Sequence, residues 1–424
     1  MKPYQVLLFI VAVMSLCGGL YWAFGEEEKE ELVVLEEPGN PNSIDSIDSI
    51  HSIDSIDSID SIVPEKPKIV IPNVAVDSTT DSRIFLAPFY ASLSETHERV
   101  VRVLHYGDSQ IEEDRMTTQI REALQDRYGG SGVGLMPLVQ TIPTRTVRQE
   151  LEMNGRIITP IQGPKRNLVY GPKRDQRKDG LYGVMGQVAI MSDELVDGSE
   201  VLSAICTPLD KRPRYTTWRV FADSTIAYWF EGDTVVLSGQ GNVYGLSQQS
   251  DTGVIVDNIP MRGCLGLVFT KMDSAQLASF YEQEHVRLII LQFGGNAIPF
   301  NQDPKTIQGI VKGLRQQVQY IRLLAPESAI LFIGPSDMAQ IEEGVWQTYP
   351  MVPYMDRLLR KMALEEHIAY FSLYNWMGGS GSMSHWQEIG LAGSDGVHFT
   401  RAGARKAGNA VAKWILEGND GMME

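Results

Sequence analysis

Near its carboxyl end the chain reads Asp395-Gly396-Val397-His398, and far upstream an apolar run leads into Gly107-Asp108-Ser109-Gln110. A serine hydroxyl is a weak nucleophile until a neighbouring imidazole takes its proton. His398 is the histidine best placed to do so. Asp395, three residues earlier in a glycine-containing turn, can face the same way as His398, where it would fix the imidazole tautomer and stabilise the imidazolium. Gln292-Phe293-Gly294-Gly295-Asn296 puts a side-chain amide after another apolar run, and such an N–H donating to a developing oxyanion is worth about 10²–10³-fold in rate. Arg262-Gly263-Cys264-Leu265-Gly266 offers a backbone N–H for the same oxygen. Each block is weak alone, since Gly, Asp and Ser are ordinary turn residues. Their conjunction carries the reading.

The positioning elements are legible too. Val100, Val101, Val103 and Leu104 predict a strand before Ser109, and Ile111, Met116, Ile120 and Leu124 a helix after it. Ser109 is thus expected at a strand-to-helix corner whose helix amino terminus favours negative charge. Asn296 leaves a strand over 286–293. Further strands are expected at 329–333 and 368–372. Helices are expected from Asp303-Pro304, with a cap and an N-terminal proline, from Val352 to Glu366, and from Arg401 to Leu416, capped by Thr400 and stopped by Gly418. Alternating strands and helices imply a parallel sheet covered on both faces, with ligands at the carboxyl ends of its strands.

These four blocks, in this order, resemble the SGNH hydrolases, the GDSL-type esterase superfamily, over roughly residues 83–140 and 258–417. The resemblance implies a three-layer, flavodoxin-like α/β fold. Ser109 would be the nucleophile, His398 the base and Asp395 its partner. The Ser109 N–H, Gly266 and Asn296 would form the oxyanion hole, with Gly263 close to Gly266. Ala297 stands where the family usually has an Asp that braces the loop.

The other histidines carry less. His51 replaces an Asp in a repeat, His97 lies in a polar approach, and His285 and His367 precede strands. His105, in the first strand, is read as packing with a possible contact behind the site. His385 lies in the glycine-rich segment 378–386, read as a loop near the active site. No His and Cys spacing suggests zinc, and no metal or cofactor is expected.

Val6 to Phe24 is an almost uninterrupted apolar run, preceded by Lys2 and followed by a glutamate cluster. Its length suits a bilayer span of about 20 residues, and the basic charge on its amino-terminal side leaves the body outside the cytoplasm. An uncleaved anchor is favoured over a cleaved signal peptide, whose apolar core is shorter. Residues 26–82 read as a linker. Within it, Ser-Ile-Asp repeats run from Ser43 to Ile62 with a period of three that builds no apolar face. From Glu26 to Glu65 there are 13 acidic residues against Lys29, a net of −12 out of −16 for the 424-residue chain, so the body is only mildly acidic. No strongly basic patch points to nucleic acid. Beyond Cys17, Cys206 and Cys264 are either a disulfide or two reduced thiols.

Residues 141–257 lack long helical periodicity. Short β-type runs at 156–159, 186–191, 216–222, 225–230 and 234–238 predict a β-sandwich or jelly-roll inserted between hydrolase segments 83–140 and 258–424. Tyr215, Trp218, Tyr228, Trp229 and Tyr244 are candidates for stacking on sugars. An SGNH head with such an insertion, carried outside the cytoplasm, resembles the peptidoglycan O-acetylesterases and their O-acetyltransferase relatives, in which the insertion resembles a carbohydrate-binding module. Asp257-Asn258-Ile259-Pro260-Met261-Arg262-Gly263 and Asp395-Gly396-Val397-His398-Phe399-Thr400 carry that likeness. The implied activity is removal of O-acetyl groups from a cell-wall or surface polysaccharide through an acyl-enzyme. The rivals are transfer of acetyl to glycan at the same site and a membrane-tethered glycan-binding protein without catalysis.

Overall fold

The computed structural model describes residues 71–423 except 77–78, 139–143, 145, 153–154, 159–187, 192–201, 209–216 and 232–233. The apolar run at 6–24, the Ser-Ile-Asp repeat and Tyr215 lie outside the described residues.

Five strands, β1 (Val100–Gly107), β11 (Gly253–Pro260), β12 (Val286–Gln292), β13 (Ala329–Ile333) and β16 (Ala369–Phe371), form one sheet in the order β11-β1-β12-β13-β16. Every neighbouring pair is parallel. Ranked along the chain, the order is the flavodoxin-like 2-1-3-4-5. Strand side chains alternate between faces. Leu104, Tyr106, Ile289 and Leu291 enter one core with α3 (Ser274–Gln283), α4 (Pro304–Leu324) and α5 (Met351–Glu365), whereas Val101, Val103, Leu288 and Ile290 enter a second core. That second core also takes in α1 (Ala87–Ser92), α2 (Thr117–Tyr128) and α8 (Arg401–Met423). Asp303 caps α4 through the Lys305 N–H, and Ile307, Leu314, Val318 and Ile321 lie buried along it. Each such side chain contributes about 1.5–3 kcal/mol.

The last helix differs from expectation. It continues through Gly418 to Met423, because that glycine serves packing: a Cβ there would come within 2.3 Å of the Tyr90 hydroxyl oxygen. Tyr90 meanwhile donates to the Ile415 carbonyl at 3.0 Å. The linker boundary also moves, since Ile71 and Val74 pack on the first core and Ser82 exchanges hydrogen bonds with the Tyr370 backbone.

The described residues of the β-rich region form two antiparallel sheets. One runs β3 (Val147–Glu152), β6 (Leu202–Pro208), β9 (Thr234–Ser238), β8 (Ala227–Glu231). The other runs β2 (Gly134–Met136), β10 (Gly241–Gln249), β5 (Val188–Met191), β4 (Gly155–Ile158), with β7 (Thr217–Ala222) also on β10. Met136, Val147, Val235, Leu237, Val243 and Leu246 from both sheets share one core, as a sandwich requires. The expected limits of 141 and 257 are corrected at both ends: β2 pairs with the inserted β10, and β11 is an edge strand of the parallel sheet. A buried ion network spans the junction. Arg102 on β1 meets Asp257 at 2.8 Å and Glu284 at 3.2 Å, and Glu284 also holds Arg219 of β7 at 2.6 Å.

A hairpin, β14 (Ala339–Glu342) and β15 (Val345–Thr348), completes the strands of the described residues. The sequence reading gave no element there.

Candidate active site

Ser109 follows the end of β1 and the Asp108 cap, Asn296 follows the end of β12, and the loop before α8 brings in His398. Ser109 Oγ lies 2.9 Å from His398 Nε2, and His398 Nδ1 lies 2.6 Å from Asp395 Oδ2. The other Asp395 oxygen accepts the Val397 and His398 backbone N–H groups, both at 2.9 Å. Partial burial works to raise the Asp395 pKa, but the His398 ring and these two amides outweigh it and hold the carboxyl well below its usual range. The arrangement has the order of a nucleophile, a base and an orienting acid.

Gly396 allows the turn between Asp395 and His398. Its φ is +70°, and a Cβ there would meet the Ala339 carbonyl oxygen at 2.4 Å and the Trp346 ring at 2.5 Å. The hairpin thus braces the loop from outside, with the Ala339 N–H donating to the Gly396 carbonyl at 2.8 Å.

After Ser109 the chain does not pass straight into an α-helix. A 3₁₀ turn spans Ser109–Asp114, Glu113 and Asp114 both have φ of +59°, and α2 begins only at Thr117. The helix that starts at Ser109 behind the Asp108 cap is therefore a short 3₁₀ one, and the expected α-helical start is displaced to Thr117. Two buried carboxylates shape the turn: Glu112 pairs with Arg262 at 2.6 Å, and Asp114 with Arg121 at 2.5 Å. Left-handed φ at non-glycine residues is costly and clusters at functional sites.

A pocket opens beside Ser109, lined among others by Gln292, Asn296, Phe300, Pro335, Met338 and Val397. Asn296 is brought to it. Its Nδ2 donates to Asp108 Oδ2 at 3.0 Å and to the Cys264 carbonyl at 3.2 Å, so an oxyanion arriving there competes for one of two engaged hydrogens. Gly266 lies outside the pocket lining, and its N–H donates to Cys264 Sγ at 3.2 Å, so an oxyanion there would compete with that sulfur as it would with the partners of Asn296. Cys264 is a free, buried thiol, pushed up to about 11 by burial.

Asp108 was read only as part of the serine block. It is buried, and burial pushes its carboxyl up to about 6 against the Gln110 N–H that it accepts at 2.9 Å. Its contact with Asn296 supports the loop that continues into Ala297, where the resemblance leads to an Asp being expected. The signal was its adjacency to Ser109.

His105 is fully buried, and burial lowers its pKa to about 4. It lies 2.9 Å from the Thr117 hydroxyl and 3.1 Å from Gln292, through which it stands one residue behind the pocket. The glycine-rich segment does not line the pocket, and His385 is exposed beside Glu388 at 3.5 Å. Segment 378–386 instead packs on buried Asp337, which accepts the Met383 N–H at 2.9 Å. Among the aromatics, Trp218 packs on the inserted core and Tyr244 donates to Asp223, whereas Tyr228 and Trp229 are exposed, as is the adjacent Phe230. The described residues hold no cluster of His, Cys, Asp and Glu suited to a metal.

This fold is that of the SGNH hydrolases. A solved peptidoglycan O-acetylesterase is similar to it at 21% identity, with 81% of this chain and 99% of that chain covered and a TM-score of 0.64. Two other solved structures overlap far less: a putative GDSL-like lipase from Parabacteroides merdae at 18% identity, 39% and 73% coverage and TM-score 0.27; and the lipopolysaccharide acetyltransferase periplasmic domain of Salmonella ser. Paratyphi A at 14%, 39% and 72%, and 0.27. No protein-family model matches the sequence, and no curated protein matches it.

Proposed function

We propose that this protein is an extracytoplasmic serine esterase that removes O-acetyl groups from a cell-wall or surface polysaccharide. The observation that carries the reading is the contact series from Ser109 Oγ through His398 to Asp395 at the carboxyl end of a parallel sheet. Likeness to a peptidoglycan O-acetylesterase over nearly all of that chain supports the choice of ester and polymer. His398 takes the proton as Ser109 Oγ attacks the acetyl carbonyl. The Ser109 N–H and Asn296 receive the oxyanion, and His398 returns the proton to the departing sugar oxygen. Water activated by the same imidazole then releases acetate. If a glycan hydroxyl replaces water, the same acyl-enzyme yields O-acetyltransfer.

The apolar run at 6–24 supports a membrane tether, with the acidic linker as spacer and the catalytic body on the periplasmic or extracellular side. Acetate release from O-acetylated peptidoglycan, acetylated xylan and aryl acetates, by the wild type and Ser109→Ala, tests the reading. Release that needs Ser109 is expected. Glycan binding without release from any ester would favour the non-catalytic rival, and acetyl appearing on an added glycan acceptor would favour the transferase.

A further inference from the structure

The proposed base stands on a loop that its own contacts do not bury: the His398 side chain is 39% exposed and that of Asp395 51%. The nucleophile, by contrast, follows a strand buried on both faces. A 2.9 Å approach between them therefore needs something that fixes the loop against the strand end. The Ser–His bond is a poor device for this, because it must break and reform as the proton moves.

Two side chains next to Ser109 reach across. The buried Gln110 donates from Nε2 to the Val397 carbonyl at 2.7 Å and accepts the Phe399 N–H on Oε1 at 3.5 Å. Its carboxamide thus meets the backbone on both sides of His398 with one donor and one acceptor, as a peptide group of a neighbouring strand would. Arg115 closes the other half. Its guanidinium donates to the Phe399 carbonyl at 3.3 Å, to the Gln110 carbonyl at 3.1 Å and to the Ser109 carbonyl. One planar fork thereby joins the peptide units of the nucleophile turn to the residue after His398, a geometry that a single ammonium cannot reproduce.

We infer that Gln110 and Arg115 are positioning residues that clamp the His398 loop to the nucleophile turn and so set the distance between Ser109 and its base. The inference rests on the catalytic reading above. It assigns the two residues no contact with the reacting atoms. The internal His398–Asp395 pair lies within the loop and does not depend on the clamp, whereas the Ser109–His398 pair crosses it. Misplacement by about 1 Å in such a pair costs on the order of 10²-fold.

The test measures the labelling rate of Ser109 by a small alkyl fluorophosphonate, in which the Oγ–P bond forms as P–F breaks, the proton goes to His398 and fluoride leaves. It is run on the full chain as wild type, Gln110→Ala, Arg115→Ala and Arg115→Lys. Melting temperatures and the downfield proton resonance of the His398–Asp395 pair are recorded for each. The expected result is labelling slowed about 10- to 10²-fold in Gln110→Ala and Arg115→Ala, no rescue by Lys, KM for a small acetate ester nearly unchanged, and the His398–Asp395 resonance retained. Wild-type labelling rates in both alanine variants would overturn the inference. A rise in KM alone would overturn it as well, making Gln110 a substrate contact, and loss of the resonance would make both residues mere supports of the loop fold. Failure of the wild type to label at Ser109 would instead strike the catalytic reading, and this inference would fall with it.

Discussion

The proposed nucleophile and its proposed base sit in opposite kinds of surroundings. Ser109 follows β1, whose residues Val101 to Gly107 are buried, and it enters a turn closed by the buried pair Asp114–Arg121 and by buried Glu112, which the exposed Arg262 holds from outside. His398 stands on an exposed loop held by the hairpin at Ala339 and Trp346, by Gln110 and by Arg115. The strand fixes one partner through packing, and borrowed hydrogen bonds fix the other. The proposed site is thus a rigidly held serine facing a histidine whose position rests on a few replaceable contacts.

The largest effect should fall on the rigid side. Ser109→Ala is expected to reduce ester hydrolysis to the level of buffer while the melting temperature stays within a degree or two, because only a half-buried hydroxyl is lost. More than a few per cent of residual turnover on an aryl acetate would remove Ser109 from the mechanism. His398→Ala should be nearly as severe, since the hydroxyl keeps its place but loses its proton acceptor. Asn296→Ala should lower kcat about 10²-fold with little change in KM, because its amide meets negative charge only in the transition state. A change confined to KM would assign it to ground-state binding.

Asp108 sharpens the comparison, because it supports Asn296 from the buried side. Asp108→Asn sets two amide nitrogens against each other and should lower kcat on the order of 10-fold. It should also change the pH dependence of stability. The Asp108 carboxyl is raised from 3.8 to about 6, so its contribution to stability is complete below about 4 and is lost as pH rises through about 6. Removing the titration should flatten the melting temperature over that window. An unchanged slope in the variant would mean that Asp108 does not titrate there.

The smallest effect should come from the inserted region. Replacing exposed Tyr228 and Trp229 with alanine should weaken turnover of acetylated polysaccharide by a few-fold and spare small aryl acetates, whose binding needs only the pocket at Ser109. Equal losses on both substrates would make the insertion a structural support of the hydrolase layer.

Local patterns made the parallel sheet readable, and with it the strand ends and the last loop that carry the candidate site. Buried strands such as Val286–Gln292 are continuous apolar runs, and α4 carries both a cap and an amphipathic stripe. What escaped depends on contacts distant in sequence. Gly418 looked like a helix stop and is a seat for Tyr90, which no local pattern reveals. The edge strand β11 resembled the inserted strands because its place is set by pairing with β1. Gly266 has a suitable spacing, yet the backbone turns its N–H toward Cys264. The hairpin over Gly396 is short and half polar, and the supporting roles of Asp108, Gln110 and Arg115 appear only once the last loop folds back onto the first strand.

The most direct test of the central claim is mass spectrometry of the rapidly quenched protein after brief incubation with an acetyl ester, followed by peptide mapping. One acetyl group per chain on the Ser109 peptide is expected, absent from Ser109→Ala and lost with time in the wild type as acetate appears. Acetate released with no acetyl on Ser109 under conditions that slow deacylation, or an acetyl group on another residue that persists in Ser109→Ala, would contradict the assignment of Ser109 as the nucleophile.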